Sequence, residues 1–150
     1  MIDKNLVASI VQEKTDALNC YLVEVTVSPD NRIVVEVDAD GDLDIDTCVA
    51  LSRYIESRLD RDEEDYELEV GSCGLTSPFK VKRQYEKNVG NEIEVLAEGK
   101  KWLGVLESVT DEGFSLRFEQ KNKETRKKEE VVKSFRFDGI KYAKYNLKFN

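Results

Sequence analysis

The side chains with the clearest potential for chemistry are carboxylates at a predicted strand-to-helix connection. Glu36, Asp38, Asp40 and Gly41 follow one another at a spacing like that of a calcium-binding EF-hand loop. The twelfth position counted from Glu36 is Thr47, where such a loop needs a bidentate Glu. The preceding residues also alternate like a strand, whereas an EF-hand has a helix there. We interpret the segment as a connection rich in helix-capping Asp and expect no bound metal.

The residue types present make an enzyme the least favoured class of protein. The sequence contains no histidine, which removes the commonest general base and the commonest zinc ligand. Its cysteines, Cys20, Cys48 and Cys73, are far apart and form no CxxC pair, so we interpret them as small apolar side chains. Carboxylates could form an acid/base pair, but no second catalytic group accompanies them. We expect no catalytic residue, no cofactor and no small-molecule substrate.

A run of basic residues offers the strongest candidate for binding. Five basic side chains fall within eight positions: Lys121, Lys123, Arg126, Lys127 and Lys128. Such a run can bind RNA phosphates or an acidic patch on a protein. It can equally be a solvated hairpin tip that keeps a sheet edge soluble. Because no aromatic residues are interleaved for base stacking, the sequence leaves both interpretations open.

The net charge of −8 is distributed very unevenly along the chain. Residues 1–77 carry 19 acidic and 6 basic side chains, a net charge of −13, whereas residues 78–150 carry 12 acidic and 17 basic ones, a net charge of +5. The change coincides with the turn-rich segment 71–78, which contains Gly71, Gly74 and Pro78. We therefore predict an acidic domain over 1–77 and a basic domain over 78–150, each with its own partner.

The acidic half predicts the order helix, strand, strand, helix, strand. Apolar residues alternate in three segments: Val23, Val25, Val27; Ile33, Val35, Val37; and Tyr66, Leu68, Val70. Asp3 and Asp44 are placed to cap the two helices. The second helix carries apolar residues that we expect to face inward: Ile45, Cys48, Val49, Ile55 and Leu59. Both helices then cover one sheet face, and Glu24, Glu36, Glu67 and Glu69 lie on the other, in a two-layer α+β domain.

The basic half predicts a short helix and five strands. The helix covers 80–89 and carries Lys80, Lys82 and Arg83, which we expect to assist the basic run. The strands are predicted over 92–97, 101–109, 113–119, 131–137 and 141–149. Gly104 inside the second strand indicates a bend or bulge. Five short strands within some sixty residues favour a small closed barrel.

Several segments resemble the bacterial ribosome maturation factor RimP family, and together they span nearly the whole chain. The matching segments are Val37-Asp38 through Gly41, Asp44-x-Asp46-x-Cys48, Leu68 to Lys80, Trp102-x-Gly104-x-Leu106 and Phe137-Asp138-Gly139-Ile140-Lys141-x-Ala143. The sequence departs from the family where Cys73 replaces a proline and Thr76-Ser77 replaces Asp-Arg, and its basic run lengthens a loop.

The resemblance implies a KH-like first domain and an Sm-like or SH3-like barrel as the second. It also implies binding to the free small ribosomal subunit late in assembly, through rRNA and a neighbouring ribosomal protein and without a cofactor. A general Sm-like RNA-binding module with an acidic accessory domain is the alternative. No apolar run of about 18 residues and no secretory signal occur, so we expect a cytoplasmic protein without membrane contact, acting as a monomer.

Overall fold

The computed structural model describes residues 1–72, 74 and 77–147. The chain divides into two compact units, Met1–Cys73 and Gly74–Asn150. Within the described ranges it is an α+β protein with three α-helices and two sheets, of three and five strands, which confirms the predicted class. None of the helices in these ranges has the length and apolar character needed to cross a membrane.

The N-terminal unit has the predicted order of elements. They are α1 (Lys4–Thr15), β1 (Tyr21–Val27), β2 (Arg32–Asp38), α2 (Ile45–Arg58) and β3 (Glu67–Ser72). Both predicted caps are confirmed: the Asp3 carboxylate accepts a hydrogen bond from the Asn5 N–H at 2.9 Å, and that of Asp44 accepts one from the Thr47 N–H at 2.8 Å. Each bond satisfies a backbone donor that the first helical turn leaves open.

The core of this unit lies between the sheet and the two helices. The strand order is β1-β2-β3, with β1 antiparallel and β3 parallel to β2, so that β3 is an edge strand. Ile33, Val35 and Val37 of the central strand are fully buried and pack against the helices. Alternation along β2 therefore sends Glu36 to the opposite face.

Helix α2 buries only part of the predicted stripe: Cys48, Ile55 and Leu59 pack against the core as predicted, whereas Ile45 and Val49 do not. Leu51 and Ile55 are fully buried, whereas Ile45 is 79% exposed and Val49 is 40% exposed. At about 100° per residue, Ile45 and Val49 lie roughly 100° or more around the helix from the buried pair. The prediction that both face inward was wrong, because the three-stranded sheet ends at β3 and covers a narrower arc of the helix than its apolar residues occupy.

The C-terminal unit also has the predicted elements, with changed bounds. They are α3 (Lys82–Lys87), β4 (Glu92–Ala97), β5 (Lys100–Val109), β6 (Gly113–Lys121), β7 (Lys128–Arg136), a 3-10 turn (Phe137–Gly139) and β8 (Tyr142–Tyr145). The predicted final strand is thus shorter, and its residues 148 and 149 lie outside the described ranges, as do Cys73, Leu75 and Thr76 of the predicted link. Tyr85 of α3 packs into the core against Phe79, Phe114 and Phe137, at ring-centroid distances of 4.9 to 5.0 Å.

The five strands form an open sheet in the described residues. The five strands were predicted correctly, but the prediction that they close into a barrel was wrong. Their order is β7-β6-β5-β4-β8, and closure would require β7 to pair with β8. The chain instead leaves β7 through the 3-10 turn and uses the four residues of β8 to pair with β4. Gly104 pairs regularly with Ile93, and the irregular register of β5 falls between Leu106 and Ser108.

Gly104 has a different structural reason from the predicted bulge. A Cβ at this position would lie 2.8 Å from the Arg117 carbonyl oxygen of the neighbouring strand β6. The residue is buried, and its missing side chain lets the two backbones approach.

Candidate partner-binding surfaces

Four carboxylates share the face of the N-terminal sheet that is turned away from the helices. We call this surface, made of Glu24, Glu36, Glu67 and Glu69, the acidic face. Glu24 lies directly opposite Glu36 across β1 and β2, while Glu67 and Glu69 on β3 lie opposite positions 32 and 34. Even-numbered positions of β2 face away from the buried Ile33, Val35 and Val37, and this parity places all four carboxylates on one side.

Like charges on this face are close neighbours. Directly opposed residues of the same charge destabilise an antiparallel pair, so the Glu24–Glu36 pairing is unfavourable for folding alone. Arg32 lies on the same face, with its guanidinium 3.8 Å from the Glu69 carboxylate, and both of these side chains are mostly exposed. The four carboxylates and Arg32 together give this face an excess of negative charge, which attracts positively charged partners.

The basic run forms the tip of the β6–β7 hairpin. We call residues 121–128 the basic loop. Lys121 and Lys128 face each other as the last pair of the ladder, and Asn122 organises the turn between them. Its carbonyl oxygen accepts from the Arg126 N–H at 2.8 Å, and its side-chain oxygen accepts from the Glu124 N–H at 2.8 Å. The backbone of the loop is therefore an ordered turn.

All five cations of the basic loop are exposed. Among the described residues, none of the five forms an ion pair with a carboxylate. Glu124 lies among them in the loop, and Glu119, Glu129 and Glu130 flank the loop on the two strands of the hairpin. The positive potential is therefore confined to the tip and falls off along the strands.

The three cations near α3 form a separate group. Lys80, Lys82 and Arg83 are all exposed. The Lys82 ammonium lies 2.5 Å from the Asp111 carboxylate, and this hydrogen bond raises the pKa of Lys82. Asp111 precedes β6, whereas the basic loop follows it. Because the nine residues of β6 span roughly 25–30 Å, the structure does not bring the two groups together.

Two further cations, which were not among the predicted site residues, surround Trp102. The Lys100 ammonium lies 3.8 Å from the centroid of the indole ring, and the Lys133 ammonium lies 4.9 Å from it. The indole N–H donates to the Ala97 carbonyl oxygen at 3.1 Å. Lys100 lies two residues before Trp102 on the same face of β5, whereas Lys133 of β7 is brought to the ring only by the pairing of β6 with both β5 and β7, which has no sequence pattern of its own.

A groove that was not predicted from the sequence lies beside the edge strand β3. This α2–β3 groove has a volume of about 510 Å³, and its apolar lining consists of Leu43, Ile45, Cys48, Val49, Leu68 and Val70. Burial raises the pKa of the Cys48 thiol, and the nearby Asp44 carboxylate raises it further. The available signal was the angular position of Ile45 and Val49, which lie outside the arc centred on Leu51 and Ile55.

The carboxylates of the strand-to-helix connection do not gather around a common point. Within the part of the chain that the structure describes, no three His, Cys, Asp or Glu side chains are placed to hold a metal ion. Asp44 is engaged as a helix cap, and its bond from Thr47 lowers its pKa. Asp38 accepts from the Ala39 N–H at 2.8 Å.

The fold and its charged surfaces define a two-unit α+β protein suited to binding other macromolecules. Residues 10–76 match the family model of the RimP N-terminal domain. The ribosome maturation factor RimP of Porphyromonas gingivalis is 50% identical over 117 residues, 77% of this chain and 77% of that protein. The protein of the same name from Christiangramia forsetii is 35% identical over 109 residues, 73% and 70% of the two chains.

A further relative extends the match over almost the full length. The ribosome maturation factor RimP of Cytophaga hutchinsonii is 32% identical over 161 residues, 97% of this chain and 95% of that protein. The chain therefore belongs to the ribosome maturation factor RimP family. These comparisons confirm the resemblance predicted from the sequence.

Proposed function

We propose that this protein acts in ribosome maturation by binding the free small ribosomal subunit late in its assembly. Membership of the family supports the ribosomal role. The observation that carries the mode of action is the pair of oppositely charged surfaces on separate units, the acidic face and the basic loop. Surfaces of opposite sign can bind two components of one ribonucleoprotein without competing for the same partner.

The acidic face is better matched to a basic ribosomal protein than to RNA. Phosphates repel carboxylates, and the unit that carries this face has a net charge of −13. Glu67 and Glu69 are exposed at the edge of the sheet, and Glu24 and Glu36 are half-buried beside them. A Lys- or Arg-rich surface would be attracted by the exposed carboxylates of Glu67 and Glu69 and by the net negative charge of the unit.

The basic loop is the matching surface for rRNA phosphates or for an acidic protein patch. Its five exposed cations release counterions when they contact phosphates, so the binding constant should fall as salt is added. Lys80, Lys82 and Arg83 lie too far away to act on the same few phosphates. We assign them a separate, weaker contact, because Lys82 is already paired with Asp111.

We further propose that the two units are a KH-like domain and an Sm-like domain, divided near segment 71–78. The α-β-β-α-β order and the placement of the last strand beside the first, β8 beside β4, support these descriptions. The protein would then work as a cytoplasmic monomer that catalyses no reaction and needs no cofactor. Its contribution would be to hold components of the subunit in place during assembly.

Sedimentation with ribosomal particles tests this proposal. The tagged protein is expected to co-sediment with isolated small subunits and to be missing from assembled ribosomes and polysomes. Added salt should weaken the binding. Equal abundance in polysomes would contradict a role in maturation. Binding to unrelated RNA with the affinity shown for small subunits would favour the alternative, a general RNA-binding module.

A further inference from the structure

The edge strand β3 has backbone groups directed away from the sheet. The Glu67 N–H donates to the Asn31 carbonyl oxygen at 3.0 Å, so Glu67 directs its backbone groups toward β2. In a parallel ladder the direction alternates, and the N–H and C=O groups of Leu68 and Val70 therefore point to the free edge. In the described ranges no other strand pairs with this edge.

An apolar groove lies on the helix side of the same edge. Leu68 and Val70 contribute their half-buried side chains to it, and α2 contributes Ile45, Cys48 and Val49. Ile45 is the most exposed large apolar residue of the described chain, at 79%. Covering these side chains would remove apolar surface from water, which is favourable.

The opposite side of this edge is acidic. Glu67 and Glu69 alternate with Leu68 and Val70 and belong to the acidic face. A strand added beside β3 would therefore meet carboxylates on one face and the groove on the other. Its own side chains alternate in the same way, which defines the sequence pattern that fits.

We propose that the β3 edge binds an extended segment of a basic protein as an additional strand. Its apolar side chains enter the α2–β3 groove, and its Lys or Arg side chains lie beside Glu67 and Glu69. Backbone hydrogen bonds to Leu68 and Val70 supply affinity, and the alternating side chains supply specificity. This inference rests on the proposed function, in which the acidic face binds a basic ribosomal protein. It adds that the bound segment of that protein is an extended strand.

Charge argues for this occupant over two others. A second copy of the chain, paired edge to edge through β3, would place Glu67 and Glu69 next to the same residues of its partner, and like charges across a ladder are unfavourable. An RNA strand would bring phosphates to Asp44 and to the carboxylates of β3, all of which are exposed. A cationic segment with apolar residues gains from both sides of the edge.

The position of Cys48 in the groove provides a direct test. The probe is the peptide Val-Lys-Val-Lys-Val-Lys-Val-Lys, added to the full chain while alkylation of Cys48 is followed by mass spectrometry at constant pH. At a peptide concentration about ten times its dissociation constant, alkylation should slow by about tenfold. A peptide of the same composition in two blocks, Val then Lys, and an N-methylated alternating peptide should protect far less.

The variant Ile45→Asp separates groove binding from attraction by charge alone. If charge alone attracted the peptide, the added carboxylate should strengthen binding. If Ile45 contacts the peptide in the groove, as we infer, the substitution should weaken binding by about tenfold, the effect expected for a central apolar contact. Leu6→Asp is the matched control, since Leu6 is a 50% exposed residue of α1 outside the groove. This control should bind as well as the parent or slightly better, and urea unfolding should show that both variants remain folded.

Three results would overturn the inference. They are protection of Cys48 by oligouridylate and not by the peptide, protection that rises with protein concentration alone, and an Ile45→Asp variant that binds the peptide as tightly as the parent. Sedimentation distinguishes these failures from failure of the proposed function. If the parent co-sediments with small subunits while the peptide results are negative, only the edge inference fails. If the peptide binds while the parent does not co-sediment, only the ribosomal proposal fails.

Discussion

The exposed sheet edges of the two units are built in opposite ways. In β3, Leu68 and Val70 face an apolar groove, and the charged residues of the strand are the two carboxylates Glu67 and Glu69. In β7, charged residues of both signs recur along the strand, at Lys128, Glu129, Glu130, Lys133 and Arg136. Charged residues along an edge strand, as in β7, oppose pairing with another strand. Charges of a single sign beside apolar side chains, as in β3, favour a partner strand that carries the opposite charge and apolar residues.

If both proposed surfaces bind, the difference implies two modes of binding within one chain. The N-terminal unit would combine shape and charge at an edge, so its partner would have to match in both. The C-terminal unit would bind through the cations of a hairpin tip, where charge acts and shape contributes little. The first mode should depend on a few apolar contacts and the second on salt concentration.

The largest expected effect concerns the two apolar surfaces of α2. Leu51→Ala should lower the free energy of unfolding by about 2–5 kcal/mol, because Leu51 is fully buried and its loss leaves a cavity. Ile45→Ala should change it by no more than about 0.5 kcal/mol, since Ile45 is mostly exposed. Urea unfolding measures both values. A large loss from Ile45→Ala would show that the groove residue supports the fold and would remove the contrast between core and binding surface.

An intermediate effect is expected at the hairpin tip. Changing Lys123, Arg126 and Lys127 to Glu should weaken binding to small subunits by about 10- to 100-fold, or about 1.4–2.8 kcal/mol. The matched control changes Lys80, Lys82 and Arg83 to Glu at the other end of β6 and should weaken it less. Sedimentation titrations at several salt concentrations measure both. If the loop variant binds like the parent at physiological salt, the basic loop only keeps a hairpin soluble.

The smallest effect is expected at β8, the other edge strand of the C-terminal unit. The Tyr142 hydroxyl donates to the Glu94 carboxylate at 2.6 Å, and this bond, with the charges of Lys101 and Lys144, lowers the pKa of Glu94. Because the pKa of Glu94 is lower in the folded state than in the unfolded state, its ionised carboxylate stabilises the fold at pH values above the unfolded-state pKa of about 4.5. This stabilisation is lost as the pH falls below that value. Tyr142→Phe should reduce that pH dependence while changing the subunit affinity little.

Urea unfolding of the parent and of Tyr142→Phe at pH 6 and at a pH below the unfolded-state pKa of Glu94 checks this prediction. The difference in unfolding free energy between the two proteins should narrow at the lower pH. An unchanged difference would mean that Glu94 does not hold β8. Asn146, whose side-chain amide donates to the Glu92 carboxylate at 2.8 Å, would then be the main side-chain contact at that edge.

Most elements of the fold could be predicted because they rest on local signals. Alternation of period two indicated β1 to β3, and capping Asp residues at positions 3 and 44 marked the helix starts correctly. The arc of α2 that packs inward could not be predicted in the same way. It depends on where the sheet ends, which is set by the pairing of β3 with β2.

The candidate surfaces show the same division. Residues that are close in sequence, such as those of the basic loop, could be selected together, and so could the carboxylates that alternate along predicted strands. The separation of Lys82 from the basic loop and the contact of Lys133 with Trp102 could not. Each of these depends on strand order and register, which bring together or keep apart residues that are distant in the chain.

The sequence by itself determined the class of the fold, the order of its elements and the charge of each half, because periodicity, caps and net charge are local or additive properties. Only the tertiary structure decided that β3 is a free edge, that Ile45 and Val49 line a groove beside it, and that the second sheet is open between β7 and β8 in the described residues. Edges, grooves and closure are relations among several strands and helices, and their free energies depend on long-range pairing that no local pattern records.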